Sequence, residues 1–297
     1  MGNRFEISVV GNDQQLAFSQ IDLAVAEIQR IEDLLSTYKP SSQTNLINDN
    51  AGISPVRVDN EVIDLIERSI KISNLTQGAF DITYGSIDKS LWNFDKTMTS
   101  LPDRQTAKEM VHLINYRNIE IDRSKSTVFL KRKGMRIGFG GIGKGYAADR
   151  AKYILQQNGV KSGIVNAAGD LTVFGSQPSG KPWTIGIADP NLPNHYFSSL
   201  EITNTSIATS GNYEKYILID GKKYSHTIDP KTGLPIQGIK SVTIITQNAE
   251  IADAMATPIS IMGINAGMFL INQINGVECI IIDDDDKIYA SDNINLH

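Results

Sequence analysis

The stretch NAEIADAMATPISIMG at residues 248–263 constrains the chain more than any other. Its alanines, methionines and isoleucines leave little polar surface, so a helix over about residues 248–262 must be mostly buried. Inside it, Asp253 and Thr257 stand four apart, which puts a carboxylate and a hydroxyl on one helical face. A buried carboxylate is costly unless it is paired or bound to a metal. Pro258 lacks an N–H and so frees the carbonyl of Ala254 from its helical bond. Two readings stay open: an aspartate satisfied by a lysine or by backbone donors, or a metal site. In the second, carboxylate, hydroxyl and carbonyl are hard oxygen ligands that favour Mg²⁺ over zinc.

Around this helix the pattern is mixed. Helical spacing of apolar residues predicts helices over residues 14–38, 61–77, 102–115 and 146–158. Period-two stretches around a charged turn predict antiparallel strands within RNIEIDRSKSTVFLKRKGMRIGFG. Further strands are expected in MGNRFEISVV, SGIVNAAGDLTVFG, PWTIGIAD, SSLEITNTSIATSG, EKYILIDGKKYSHTIDP, IKSVTIIT, VECIIID and KIYA. The helices do not alternate strictly with the strands, so the fold class is α+β, with mixed or antiparallel sheets and packed helices. At 297 residues and 41% hydrophobic content, the chain can form one large domain or two intimately packed lobes over residues 1–297. The run DDDD at residues 283–286 reads as a solvated turn, with a weak cation site as the alternative.

Charge narrows the partners. With 28 basic and 33 acidic residues, and no long Lys/Arg block, nucleic acid is not an expected partner. The sole cysteine, Cys279, lies in an apolar run and is expected to be a buried thiol, which rules out an intrachain disulfide. No apolar run approaches the ~18 residues of a membrane span. Because MGNRFEISVV reads as strand from its opening residues, a signal or lipid anchor is expected to have been removed ahead of it. With such a leader the chain would work in the periplasm, or on a membrane facing it and touching that membrane only through the anchor. Without one it would be cytoplasmic.

Three local chemistries stand out. GFGGIGKGYAADRA at residues 138–151 is a glycine-dense loop leading into a helix, an arrangement that lets backbone N–H groups meet phosphate. Gly138, Gly140 and Gly143 satisfy G-x-G-x-x-G, but the charged preceding strand, and Asp170 lying 27 residues beyond Gly143 instead of about 20, argue against a Rossmann site. A structural tight turn remains the alternative. His226 is expected on the second strand of a hairpin turning at Asp220-Gly221, either as a packed core histidine or as a catalyst. SIATSGN at residues 206–212 offers two hydroxyls and a glycine in a turn, an unspecific phosphate cradle.

The order of these segments resembles the ApbE family of FAD:protein FMN transferases, once labelled thiamine-biosynthesis lipoproteins. The likeness covers nearly the whole chain. It runs through MGNRFEI, LLSTYKPSSQTNLIN, GAFDITYGSIDKSLWNF, GGIGKGYAAD, VNAAGDL, SIATSGNY, YSHTIDPKTGLPI and SVTIIT…IADAMATP. The resemblance implies a T-fold-like architecture. It implies that Met1, Tyr38, Ala79, Phe80 and Asp81 line an FAD pocket completed by Lys144 and the backbone near Ile228, with Tyr38 and Trp92 beside flavin or adenine rings. Thr209 and Ser210 would meet the pyrophosphate. The metal ligands would be Asp253, Thr257 and the Gly141 carbonyl, with Ala256 close by, and His226 would be the catalytic histidine. Two positions depart from the family pattern. Gly138 stands where an aspartate commonly contacts the cofactor, and Ala168 stands where glycine is common, which could tighten its loop.

The implied reaction is Mg²⁺-dependent transfer of FMN from FAD to a threonine or serine hydroxyl, releasing AMP, with His226 as general base. The chain has no D-x-x-[S/T]-G-A-[S/T] segment of its own, so the flavin would go to another protein, expected to be a redox subunit of a membrane electron-transfer complex. The alternatives are an Mg²⁺-dependent FAD pyrophosphatase, a non-catalytic FAD-binding protein and, most remotely, an oxidoreductase.

Overall fold

The computed structural model describes residues 4–90, 99–188, 195–211, 216–219 and 221–294. Its first half runs β1 (Phe5–Val9), α1 (Gln14–Leu35), α2 (Gln43–Asp49), β2 (Val56–Arg57), α3 (Asn60–Leu75), α4 (Arg104–Met110), β3 (Ile119–Asp122) and β4 (Thr127–Leu130). Then follow α5 (Gly143–Gln157), β5 (Gly163–Ala167), β6 (Asp170–Phe174), β7 (Trp183–Ala188), β8 (Tyr196–Ile202) and β9 (Ser206–Gly211). The chain continues through β10 (Tyr216–Ile219), β11 (Lys222–Ser225), β12 (Ile239–Thr246), α6 (Ala249–Met262), α7 (Ile264–Ile271), β13 (Val277–Asp283) and β14 (Ile288–Ala290).

The main sheet has the order β1-β5-β6-β9-β12-β13-β14, and every neighbouring pair is antiparallel. Smaller sheets form from β2-β4-β3, β7-β8 and β10-β11. The α+β class with antiparallel sheets is therefore the fold. Helix boundaries differ from the periodicity at several ends. α1 stops at Leu35 because Ser36 turns extended, and Ser42 then caps the separate helix α2 by accepting from Asn45 N at 3.1 Å. α4 stops at Met110, and Asn115 caps a short 3-10 turn at Tyr116–Asn118. Helix α7, INAGMFLI, has only Asn265 as a polar position, too little to reveal a period.

Helix α6 forms where the sequence predicts it and is as buried as its composition requires: ten of its fourteen residues are buried, Asp253 among them. It packs on β9 and β12 and crosses α5. The crossing is tight. A Cβ on Gly145 would sit 2.0 Å from the Ala249 carbonyl oxygen, so only glycine lets the two backbones meet. Beside it, Asp149 Oδ2 accepts from Glu250 N at 2.9 Å and caps α6 from α5, where the helix's own Asn248 makes no side-chain cap bond. Arg68 of α3 then grips Glu250 through two hydrogen bonds of 2.6 and 3.0 Å. At least one glycine of this segment thus serves helix packing within α5, a role neither the phosphate loop nor the tight turn anticipated.

Two further expectations meet their structure here. Cys279 is fully buried in the main core, and burial pushes its thiol up to about 12. The aspartate run is a hydrogen-bonded turn: Asp283 Oδ1 accepts from the Asp285 and Lys287 amides, Asp284 accepts from Gly238 N, and Asp286 pairs with Lys240 at 2.5 Å.

Gly145→Ala should cost at least ~2 kcal/mol, because backbone on both helices must shift. Gly11→Ala, where an added methyl meets nothing within 4 Å, should stay within ~0.5 kcal/mol. Urea unfolding of the two variants beside the parent measures the difference, and equal midpoints would remove the crossing as a constraint.

Candidate functional site

Three clefts adjoin one another along the edge of this helix pair. A first, of about 260 Å³, is lined by Ser36, Thr37, Tyr38, Gly138, Gly143 and Lys144. A second, of about 500 Å³, shares Thr37, Gly138 and Gly140 with it and is walled by Ala79, Phe80, Asp81, Tyr84, Gly141, Ile228 and Thr257. A third, of about 630 Å³, shares His226 with the second.

The aspartate of α6 lies beneath them. Asp253 Oδ2 accepts from Gly145 N at 3.0 Å, at the start of α5, and Oδ1 lies 3.2 Å from Lys144 Nζ. The same ammonium binds Asp170 at the start of β6. Two buried carboxylates therefore share one cation. Burial, followed by the neighbouring Asp253 charge, pushes the Asp170 carboxyl up to about 7 in spite of Lys144. The lysine's own burial is outweighed by Asp253 and Asp170, which hold its pKa above the ordinary value. Both partners left open for Asp253, a lysine and a backbone donor, are present.

The residues also suit a hard cation. Thr257 and Gly141 line the second cleft, with Asp253 one turn back from Thr257 along the same face. Together they offer hydroxyl, carbonyl and carboxylate oxygen beside a pair of acids whose charge one lysine only half offsets. Ala256, fully enclosed in α6, can contribute only its carbonyl. Among the described residues no cluster of three or more His, Cys, Asp or Glu gathers, so the set rests on one carboxylate and neutral oxygens.

The remaining expected residues separate by role. Tyr38 stands 87% exposed at the rim of the first cleft. Lys144 lines that cleft too, but its ammonium is committed to the two aspartates. Ala79 and Phe80 wall the second cleft, with Phe80 reaching toward Gly141. Asp81 lines it as well, yet its oxygens are taken by Thr83 N at 2.8 Å, Thr83 Oγ1 at 2.6 Å and Tyr116 N at 2.9 Å. It is chiefly the cap of a 3-10 turn over Ile82–Ser86, and its burial raises the carboxyl against those bonds. At Gly138 a Cβ would meet Thr37 at an ordinary 3.6 Å, so the site has room for a side chain that this sequence lacks. Ala168 adopts φ 55° in the β5–β6 turn, a left-handed conformation natural to glycine. Met1 and Trp92 lie outside the described residues.

Two expectations need correcting. SIATSG is strand β9, as its place in SSLEITNTSIATSG predicts, and not the turn also read over it, so its side chains alternate. Thr209 Oγ1 meets Thr243 Oγ1 at 3.0 Å and lines the third cleft, whereas Ser210 Oγ accepts from Thr257 Oγ1 at 3.4 Å on the helix side. The two hydroxyls cannot share one cradle. His226 is not on a strand: β11 ends at Ser225, and His226 follows it, exposed, on the boundary between two clefts. That exposure sets aside the packed core histidine. Tyr84 and Arg136 of the second cleft, and Asp170 beneath, were not singled out, although Tyr84 and Asp170 sit inside the GAFDITYG and VNAAGDL segments. Burial raises the Tyr84 hydroxyl against a hydrogen bond from the Ile228 backbone, which ties that backbone into the cleft wall.

The chain is similar to known proteins over most of its length. The FAD:protein FMN transferase of Klebsiella pneumoniae is 31% identical over 284 residues, covering 95% of this chain and 86% of its own length. The one from Escherichia coli K12 is 30% identical over 269 residues, 89% of this chain and 76% of its own. Among solved structures, the ApbE protein of Thermotoga maritima superposes with a TM-score of 0.84 at 31% identity, covering 96% of this chain and 93% of that one. The flavin transferase ApbE of Vibrio cholerae superposes with a TM-score of 0.83 at 27% identity, covering 98% and 94%. The family model described as the ApbE family matches residues 1–281, and the chain belongs to that family.

Proposed function

We propose that this chain is an Mg²⁺-dependent FAD:protein FMN transferase that joins FMN through a phosphoester to a serine or threonine of an acceptor redox protein and releases AMP. The observation that carries the reading is the second cleft, where Gly141 and Thr257 meet His226 in a chain whose relatives are named for this reaction. FAD would occupy the first and second clefts, with Tyr38 at the rim and Ala79, Phe80, Asp81 and the Ile228 backbone along the wall. Met1, Trp92, Gly138 and Lys144 belong to the same proposed pocket, and of the two β9 hydroxyls only Ser210, beside Thr257, is on its side.

Asp253, Thr257 and the carbonyls of Gly141 and Ala256 would hold Mg²⁺, which when bound would neutralise charge on the pyrophosphate. His226 would take the proton of the acceptor hydroxyl as its oxygen bonds to the FMN phosphorus and the bond to the AMP phosphate oxygen breaks. Its exposed place between two clefts suits a base that must meet a group arriving from outside.

The deciding assay incubates the chain with FAD, MgCl₂ and an acceptor domain carrying a D-x-x-T-G-A-T segment, followed by in-gel flavin fluorescence and measurement of free FMN. Fluorescent acceptor with stoichiometric AMP is expected. Free FMN alone would make the chain a pyrophosphatase, and neither product would leave an FAD-binding protein.

Asp253→Asn should remove most of the Mg²⁺-dependent rate, since an anionic ligand becomes a neutral amide at nearly constant volume. A rate that neither needs the ion nor responds to this change would place the metal elsewhere. His226→Ala should keep FAD affinity and slow transfer by ~10²–10⁴-fold, the loss typical of a general base. Single-turnover transfer beside an FAD titration checks this, and a folded, saturated variant with the parent rate would exclude His226 from the chemistry.

A further inference from the structure

The third cleft is left over once the FAD residues are assigned, for among them only Thr209 lines it. Among the described residues, its lining holds no ionisable group but His226 and the phenol of Tyr196. One wall comes from β7, which contributes Thr184, Ile185, Gly186 and Ile187. Four consecutive strand residues cannot share one face, because side chains alternate from face to face. Their joint presence means that β7 turns its edge toward the cleft. That edge is open: β7 pairs with β8 only, and among the described residues its backbone makes no other hydrogen bond.

The opposite wall differs. β9 contributes Ile207, Thr209 and Gly211, alternate residues and therefore a face. The main sheet is notched beside them, since β6 pairs with β9 only at Leu171↔Ile207 and Thr172↔Ser206, and the turn at Ala168 and Gly169 ends the overlap. The cleft is thus a slot between a strand edge and a sheet face, with His226 on its boundary with the second cleft. Gly186 keeps the slot slim, because a Cβ there would lie 2.3 Å from the Tyr196 ring.

We propose that the acceptor protein enters this slot as an extended segment, hydrogen-bonded to the free edge of β7, so that its hydroxyl reaches His226. The inference rests on the transferase reading and names the acceptor's path. An unpaired row of N–H and C=O groups recruits a strand through main-chain bonds whatever its sequence, while the walls select side chains. Among the described residues the slot lining holds no carboxylate, lysine or arginine, so residues next to the hydroxyl should be uncharged. Alanine and glycine at positions 168, 169 and 211 leave the incoming backbone room to approach. A β-strand advances ~3.3 Å per residue, so a few residues cross the slot and the folded body of the acceptor stays outside.

Two measurements test this. Amide hydrogen exchange is followed in the full chain with FAD and Mg²⁺, with and without an excess of an acceptor domain carrying D-x-x-V-G-A-V, which lacks both hydroxyls of the motif and so cannot turn over. Amides of residues 183–188 should exchange at least tenfold more slowly with the acceptor present. Unchanged exchange there, with protection on another surface, overturns the proposal. Second, Thr184→Arg places a long cation on an exposed position of the edge. It should raise KM for the D-x-x-T-G-A-T domain at least tenfold while kcat at saturation stays within about twofold. An unaltered KM, or a fall in kcat alone, also overturns the proposal. Failure of the underlying reading looks different, because the unmutated chain would then transfer no FMN at all.

Discussion

The contact on which the rest of the structure depends is the crossing of α5 over α6 at Gly145. With the Gly145 backbone against the Ala249 carbonyl, the first turn of α5 meets Asp253, and Gly145 N binds that carboxylate directly. A helix start is one of the few places where a buried acid finds donors without another side chain being spent on it. The same closeness lets Asp149 cap α6 and Lys144 reach both Asp253 and Asp170. A single missing Cβ therefore sets the separation of the helices, the satisfaction of the acid and the position of Thr257 one turn further on. The motif GKGYAAD reads as one device: a lysine for two acids, a glycine for contact and an aspartate for the neighbouring helix.

From that junction the site extends outward through β9. Ser210 meets Thr257 on the helix side, while Thr209 faces the slot beyond. One strand thus links the oxygen set proposed for Mg²⁺ to the cleft proposed for the acceptor, with His226 brought between them by the end of β11. Because the strand belongs to a seven-stranded antiparallel sheet, the spacing between the two clefts is set by packed backbone and not by a loop.

Much of this was legible in the sequence. The Ala/Met/Ile composition of α6 announced its burial, and burial made Asp253 chemically conspicuous. Period-two patterning gave the hairpins β3–β4 and β5–β6. What stayed hidden depends on long-range contacts. No local pattern says that Asp170 is 26 residues from Lys144 in sequence and bonded to it in space, or that Asp149 caps a helix 101 residues away. SIATSG looked like a turn because serine, threonine and glycine favour turns, yet pairing with β12 along its length holds it as a strand. His226 looked like a strand residue because the hairpin pattern runs through it. The ladder ends one residue earlier, at Tyr216↔Ser225, and so leaves the ring exposed.

The charge balance of the junction explains why a chain would keep so costly an arrangement. Two carboxylates that are almost wholly out of water share one ammonium in a poorly solvated place. Burial, followed by the neighbouring Asp253 charge, raises the Asp170 carboxyl from an ordinary 3.8 to about 7. Since its folded pKa lies above its unfolded one, the folded chain holds this proton more tightly, and the stability linked to it is lost as pH rises through about 7. A fold selected only for stability would replace such a cluster with apolar side chains of similar volume. The cluster lies beneath a cleft lined by the Thr257 and Gly141 oxygens proposed for Mg²⁺, and the packing of α5 against α6 supplies the stability that the cluster itself does not.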